Sequence, residues 1–202
     1  MSGTSLPIEE IRGEFLEALK GASPRILLKA PTGSGKSTGI PPMMDDAGLG
    51  ENGLIVVVQP RRMAARLLAR HVARLRGSEL GREVGYMVRF ERHISSRTRI
   101  AYVTDGVLER WLTDRPCLEG VSAVVFDEFH ERSLSGDLSL GRVLDLQEGP
   151  RPDLAVVVMS ATLEMSGLRE YMGESCRELE ACGRQYPVEI KYRPSRPVSD
   201  GR

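Results

Sequence analysis

The sequence predicts an α/β fold, a mostly parallel sheet with helices on both faces, from three observations. Apolar runs at 25–30, 54–59, 121–126 and 154–159 have the length of buried strands, and stretches of helical period separate them. A glycine-rich loop, Ala30-Pro31-Thr32-Gly33-Ser34-Gly35-Lys36-Ser37-Thr38, follows the first run and precedes a stretch able to turn helical. An acidic pair, Asp127-Glu128, ends the third run, and parallel sheets collect ligands at the carboxyl ends of their strands.

In chain order, residues 7–19 place Ile8, Ile11, Phe15, Leu16 and Leu19 at helical spacing, with Glu9, Glu10, Glu14 and Glu17 elsewhere, which is an amphipathic helix. Residues 25–30 are a buried strand feeding the loop. The helix after the loop is expected to stop near Pro41-Pro42. Residues 54–59 form a second strand and 60–76 a helix. Strands are expected at 83–90 and 98–103, a helix at 105–113, a strand at 121–126 and a helix at 134–146. A strand at 154–159 and a short helix at 164–171 follow. Such alternation implies parallel βαβ units, and no internal repeat is visible.

The 202 residues suffice for one sizeable core and at most two small domains. Hydrophobic content of 41% and charged content of 28% are ordinary for a globular chain, and net charge is zero. Charge is uneven, however: residues 61–99 hold 11 arginines against Glu79, Glu83 and Glu91. Cys117, Cys176 and Cys182 form an odd set without C-x-x-C spacing, which argues against a disulfide framework or a zinc site. Neither a signal peptide nor an 18-residue apolar run is present, so no membrane partner and a cytoplasmic location are expected.

The loop has the composition of a phosphate cradle. Glycines at 33 and 35 let the backbone curl and turn N–H groups inward at a helix N-terminus, so the stretch from Thr32 to Thr38 is expected to wrap anionic oxygens. Lys36 can reach the β- and γ-phosphates, and the Ser37 hydroxyl is placed to hold Mg²⁺. Ala30 replaces the first glycine of the usual pattern, which is tolerable if its φ stays negative. At the end of the strand 121–126, Asp127 is the expected metal partner and Glu128 the base that orients the attacking water, with His130 beside them.

These residues resemble the DExH/DEAH-box helicases of superfamily 2, and among them the bacterial HrpB type. The resemblance rests on Asp127-Glu128-Phe129-His130-Glu131-Arg132-Ser133-Leu134, on Gln59-Pro60-Arg61-Arg62-Met63-Ala64-Ala65 (motif Ia), on Thr104-Asp105-Gly106 (motif Ib) and on Ser160-Ala161-Thr162 (motif III). Val84-Gly85-Tyr86, Arg89-Phe90-Glu91 and Gly183-Arg184 with Tyr186-Pro187-Val188 extend it. It implies a RecA-like P-loop NTPase fold over 1–192, with 193–202 the start of an interlobe linker or a disordered tail. It also implies ATP as nucleotide and coupling of hydrolysis to strand movement through Ser160 and Thr162. Those two hydroxyls could equally cap the following helix.

Arg61, Arg62, Thr104, Asp105 and Gly106 are the family's backbone-contacting places, with Arg89 a further candidate. Phosphate contacts fix position without reading sequence, so the expected partner is single-stranded nucleic acid, RNA in preference to DNA. Arg66, Arg70 and Arg74 lie at i, i+4 and i+8 and read as a solvent-facing stripe. No glutamine precedes the loop to read adenine, so other nucleoside triphosphates should be accepted. In DEAH proteins an arginine after motif Ia stacks on the base; here the matching place is His71, which is also readable as an ordinary helix-surface histidine. The later motifs, including the arginine fingers, have no counterpart after Arg184, so a second lobe is expected to complete the enzyme, and this lobe alone is expected to be nearly inactive. The alternative is a P-loop nucleotide switch or partner-binding module without unwinding.

Overall fold

The computed structural model describes residues 6–161 and 166–182. Its strands are β1 Arg25–Lys29, β2 Leu54–Gln59, β3 Val84–Val88, β4 Glu91–His93, β5 Ile100–Thr104, β6 Val121–Phe126, β7 Ala155–Ser160 and β8 Arg177–Glu180. The helices are α1 Arg12–Leu19, α2 Lys36–Asp46, α3 Leu49–Asn52, α4 Arg62–Leu75, α5 Asp105–Asp114, α6 Leu134–Glu148 and α7 Ser166–Met172. The strands join in one sheet in the order β4-β3-β5-β2-β6-β7-β1-β8. Every pairing is parallel except that of β3 with β4.

Because successive strand residues point to opposite faces, the central strands are apolar throughout and feed two cores. Ile26, Leu28, Ile55, Val57, Tyr102, Val125 and Val157 pack on one face with Ile40 and Met44 of α2 and Ala65, Ala69 and Val72 of α4. Leu27, Val56, Val58, Val103, Val124, Val156 and Val158 pack on the other with Leu108 and Leu112 of α5 and Leu140, Val143 and Leu144 of α6. The sheet thus has helices on both faces, as the sequence predicts.

The expected helix stop is not observed. The helix after the loop does not stop at Pro41-Pro42 but runs through them to Asp46. Pro41 has no N–H for the Ser37 carbonyl four residues back, but the Tyr102 hydroxyl donates to that carbonyl at 2.8 Å. A distant side chain therefore supplies the hydrogen bond that proline removes. The amphipathic segment at 7–19 is a 3₁₀ turn, Pro7–Ile11, that leads into α1. Strands β4 and β8 and helix α3 lie outside the sequence expectations, being only three or four residues long. Thr162, Arg184 and the Tyr186-Pro187-Val188 stretch lie outside the described residues, as does the proposed linker at 193–202.

Candidate functional site

The loop between β1 and α2 turns on two left-handed glycines, Gly33 at φ 82° and Gly35 at φ 90°. A Cβ on Gly35 would also stand 2.9 Å from Leu6 Cδ1, because the N-terminal segment packs against the loop and the Ile8 N–H donates to the Ser34 carbonyl at 3.1 Å. Ala30, fully buried, is not among the residues of positive φ, and its N–H bonds the Ser160 carbonyl at 3.0 Å. Its methyl is therefore accommodated where the usual pattern has glycine. Thr32 and Gly33 are exposed, Ser34 is buried, and Lys36, Ser37 and Thr38 open α2, whose first amides have no carbonyl four residues earlier in the helix. A helix start of this kind carries partial positive charge.

Asp127 and Glu128 face this loop from the end of β6. Lys36, 3% exposed, places Nζ 2.9 Å from Glu128 Oε1. Glu128 itself is held at φ 50°, an uncommon conformation for a non-glycine residue. Asp127 is buried and accepts hydrogen bonds from Gln59 Nε2 at 2.5 Å and from the Glu128 N–H at 2.9 Å, with the Ser37 hydroxyl close enough to influence its carboxyl. Burial pushes that carboxyl above the usual carboxylate range, and Ser37 and Gln59 oppose the shift. His130 Nδ1 accepts from the Ala161 N–H at 3.4 Å and stands 3.5 Å from Glu128 Oε2. The start of motif III therefore touches the acidic motif through backbone, next to Ser160 at the end of β7.

The paired oxygens of Ser37 and Asp127 are hard ligands of the kind Mg²⁺ takes, and a buried carboxylate gains most from a nearby cation. The residues present thus fit Mg²⁺. Gln59 is the member of this group that sequence reasoning missed as a site residue; its signal was a polar residue closing an otherwise apolar strand.

The residues expected at the nucleic acid divide between two grooves. Arg62, Arg89, Thr104 and Gly106 line one of about 800 Å³, together with Phe90 and Trp111. Phe90, at the tip of the β3–β4 hairpin, is 91% exposed, and the Arg89 guanidinium lies 4.7 Å from its ring centre. Arg61 and Asp105 line a second groove of about 340 Å³ beside Asp127 and Glu128. There Arg61 pairs with Glu131 at 3.1 Å, and Asp105 accepts from the Ser133 hydroxyl at 2.9 Å, which ties the starts of α5 and α6 together. Arg66 is not part of a solvent stripe as expected: it is half-buried and paired with Glu91, whereas Arg70 and Arg74 are exposed. His71 is exposed on α4, its Nδ1 3.2 Å from Arg74.

A phosphate cradle at one strand end, with a lysine and two carboxylates meeting across the carboxyl edge of a parallel sheet, defines a P-loop NTPase domain of RecA-like fold. The chain belongs to the DEAD/DEAH box helicase family, which it matches over residues 10–171. It is 44% identical to the ATP-dependent RNA helicase HrpB of Escherichia coli over 95% of its own length and 23% of that protein's. It is 40% identical to the probable ATP-dependent RNA helicase DHR2 of Saccharomyces cerevisiae over 93% of its length and 26% of that protein's. The crystal structure of the E. coli DExH-box NTPase HrpB superposes with a TM-score of 0.86 at 42% identity, covering 94% of this chain and 23% of that one. The chain thus spans about a quarter of the length of these relatives. Among the described residues no helix is long and apolar enough to cross a membrane.

Proposed function

We propose that this chain is the ATP-binding lobe of an ATP-dependent RNA helicase that couples hydrolysis of Mg·ATP to movement along a single strand. The observation that carries this reading is the convergence of Lys36, Glu128, Asp127 and Ser37 at one strand edge, beside an arginine-bearing groove. The amides from Thr32 to Thr38 receive the phosphates, and Lys36 exchanges Glu128 for their oxygens. Ser37 and Asp127 would hold Mg²⁺, which would supply charge compensation to the phosphates. Glu128, released from Lys36, then orients water. His130 meets the backbone of motif III at Ala161, and Ser160 and Thr162 are the residues expected to couple hydrolysis to strand movement. His71 is kept as a stacking candidate for the base, and other nucleoside triphosphates are expected to be accepted. The identities of HrpB and DHR2 as RNA helicases support RNA as the strand.

In a protein carrying this lobe and its second lobe, ATP turnover measured with no strand, with DNA and with RNA tests the reading. RNA is expected to raise turnover at least about tenfold, which is about 1.4 kcal/mol off the barrier. Turnover indifferent to either strand would favour the alternative, a P-loop nucleotide switch.

Strand binding by this lobe should be weak and should fall with salt. Two or three phosphate contacts at about 0.7 each give a log–log slope of about −1.5 to −2. Arg62→Ala should flatten the slope by about one contact's worth, and Arg61→Ala by less, because Glu131 already holds Arg61. A titration across salt concentrations in which Arg62→Ala leaves the slope unchanged would move the strand away from the groove of Arg62 and Arg89.

A further inference from the structure

Pro41 lies inside α2, so the Ser37 carbonyl has no helical donor. Its hydrogen bond comes instead from the hydroxyl of Tyr102, at 2.8 Å, on β5. Tyr102 is fully buried in the core beneath α2, and its ring is fixed there by packing on every side. The phenol oxygen therefore sets the height of the first turn of α2 above the sheet. Ser37 carries both the anchored carbonyl and the hydroxyl that meets Asp127, so a shift at one moves the other. Asp127 is fixed separately, by Gln59 from β2 and by the Val58 carbonyl, which accepts its N–H at 3.0 Å. The two oxygens expected to hold a cation are thus positioned from different strands.

We infer that Tyr102 is a positioning residue for the metal site, acting through the Ser37 carbonyl that Pro41 leaves open. The inference rests on the reading that Ser37 and Asp127 hold Mg²⁺. Tyr102 is fully buried and meets the loop through the Ser37 carbonyl. Its effect is expected to fall mainly on the metal, because Ser37 is the residue it anchors, whereas the loop from Pro31 to Gly35 is held separately, by the Ile8 N–H on the Ser34 carbonyl, by the Ser34 N–H on the Pro31 carbonyl and by its two left-handed glycines. A tyrosine that merely completed the core would show no such selectivity.

The test is calorimetric titration of ATP into the 202-residue chain across Mg²⁺ concentrations, with a parallel series in EDTA and thermal unfolding of each variant. Tyr102→Phe is expected to raise the Mg²⁺ concentration for half-maximal enhancement of ATP binding about tenfold, while affinity in EDTA stays within about twofold. Adding Pro41→Ala returns an N–H to the helix at the position that bonds the Ser37 carbonyl, and the double variant should recover most of the Mg²⁺ dependence. It also serves as the informative variant if Tyr102→Phe alone unfolds. Ser37→Ala separates the two layers of the argument. If Ser37→Ala weakens the Mg²⁺ dependence and Tyr102→Phe does not, the role of Tyr102 is overturned while the metal reading stands. If neither changes it, the metal reading fails and the inference with it. Equal losses for Tyr102→Phe in Mg²⁺ and in EDTA, or no recovery in the double variant, would also overturn the positioning role.

Discussion

Lys36→Ala lowers the affinity of the chain for ATP by about two to four orders of magnitude, because charge-assisted hydrogen bonds contribute about 1.5–3 kcal/mol each and an ammonium at this place makes at least two of them to phosphate. Among the described residues the ammonium has one hydrogen-bonding partner, Glu128 at 2.9 Å, and that partner keeps access to water. The fold is therefore expected to survive, with unfolding temperature changed by a few degrees at most. Calorimetric titration with Mg·ATP, paired with thermal unfolding, checks both halves. Unchanged affinity would mean that Lys36 serves Glu128 and not the nucleotide. A collapse of the fold would mean that the ion pair is structural. Lys36→Met keeps the buried stem of the side chain and removes only the charge, so it should reproduce the loss of affinity.

Glu128→Gln in a protein that carries both lobes should reduce kcat by about 10²–10⁴, the range that a positioned base contributes. Binding should move the other way. The carboxylate of Glu128, paired with Lys36, competes with phosphate for it, and the amide would compete less. Affinity for ATP is therefore expected to rise about threefold to tenfold, a gain of up to about 1.4 kcal/mol. Opposite signs on turnover and on binding are the signature of this geometry. Single-turnover kinetics and a binding titration on the same preparation measure them together. Wild-type turnover would remove Glu128 from the water-orienting role, and lowered affinity would show that the carboxylate assists binding.

The phosphate loop and the acidic strand end were legible because both are local: glycine spacing and a carboxylate pair after an apolar run need no knowledge of what packs beside them. The strands at 54–59 and 121–126 were equally plain, since burial on both faces leaves no polar position to blur the pattern. What sequence did not reveal depends on distant partners. The prolines in α2 read as a stop, and Tyr102, far along the chain, supplies the Ser37 carbonyl with the hydrogen bond that Pro41 withholds. Gln59 became a site residue only once β2 lay beside β6. Neighbours in sequence, Arg61 and Arg62, diverge into separate grooves because the second opens α4 while the first precedes it. Asp105, expected at the strand, is engaged by Ser133, a pairing that joins two helix starts and has no sequence signature.

The place of β7 in the sheet has a metrical consequence. Lys36 and Glu128 follow β1 and β6, which are not neighbours, and β7 lies between those strands. Strands stand about 4.8 Å apart, so a single interposed strand sets the rails of the site at a gauge of about 9.6 Å. Lys36 bridges that gap, its ammonium 2.9 Å from Glu128. The floor of this slot is the end of β7, Ser160 and Ala161, whose backbone bonds Ala30 on one rail and His130 on the other. Both rails are thus tied to the same strand end, so the gauge of the slot and the seating of Ser160 and Ala161 are one geometry.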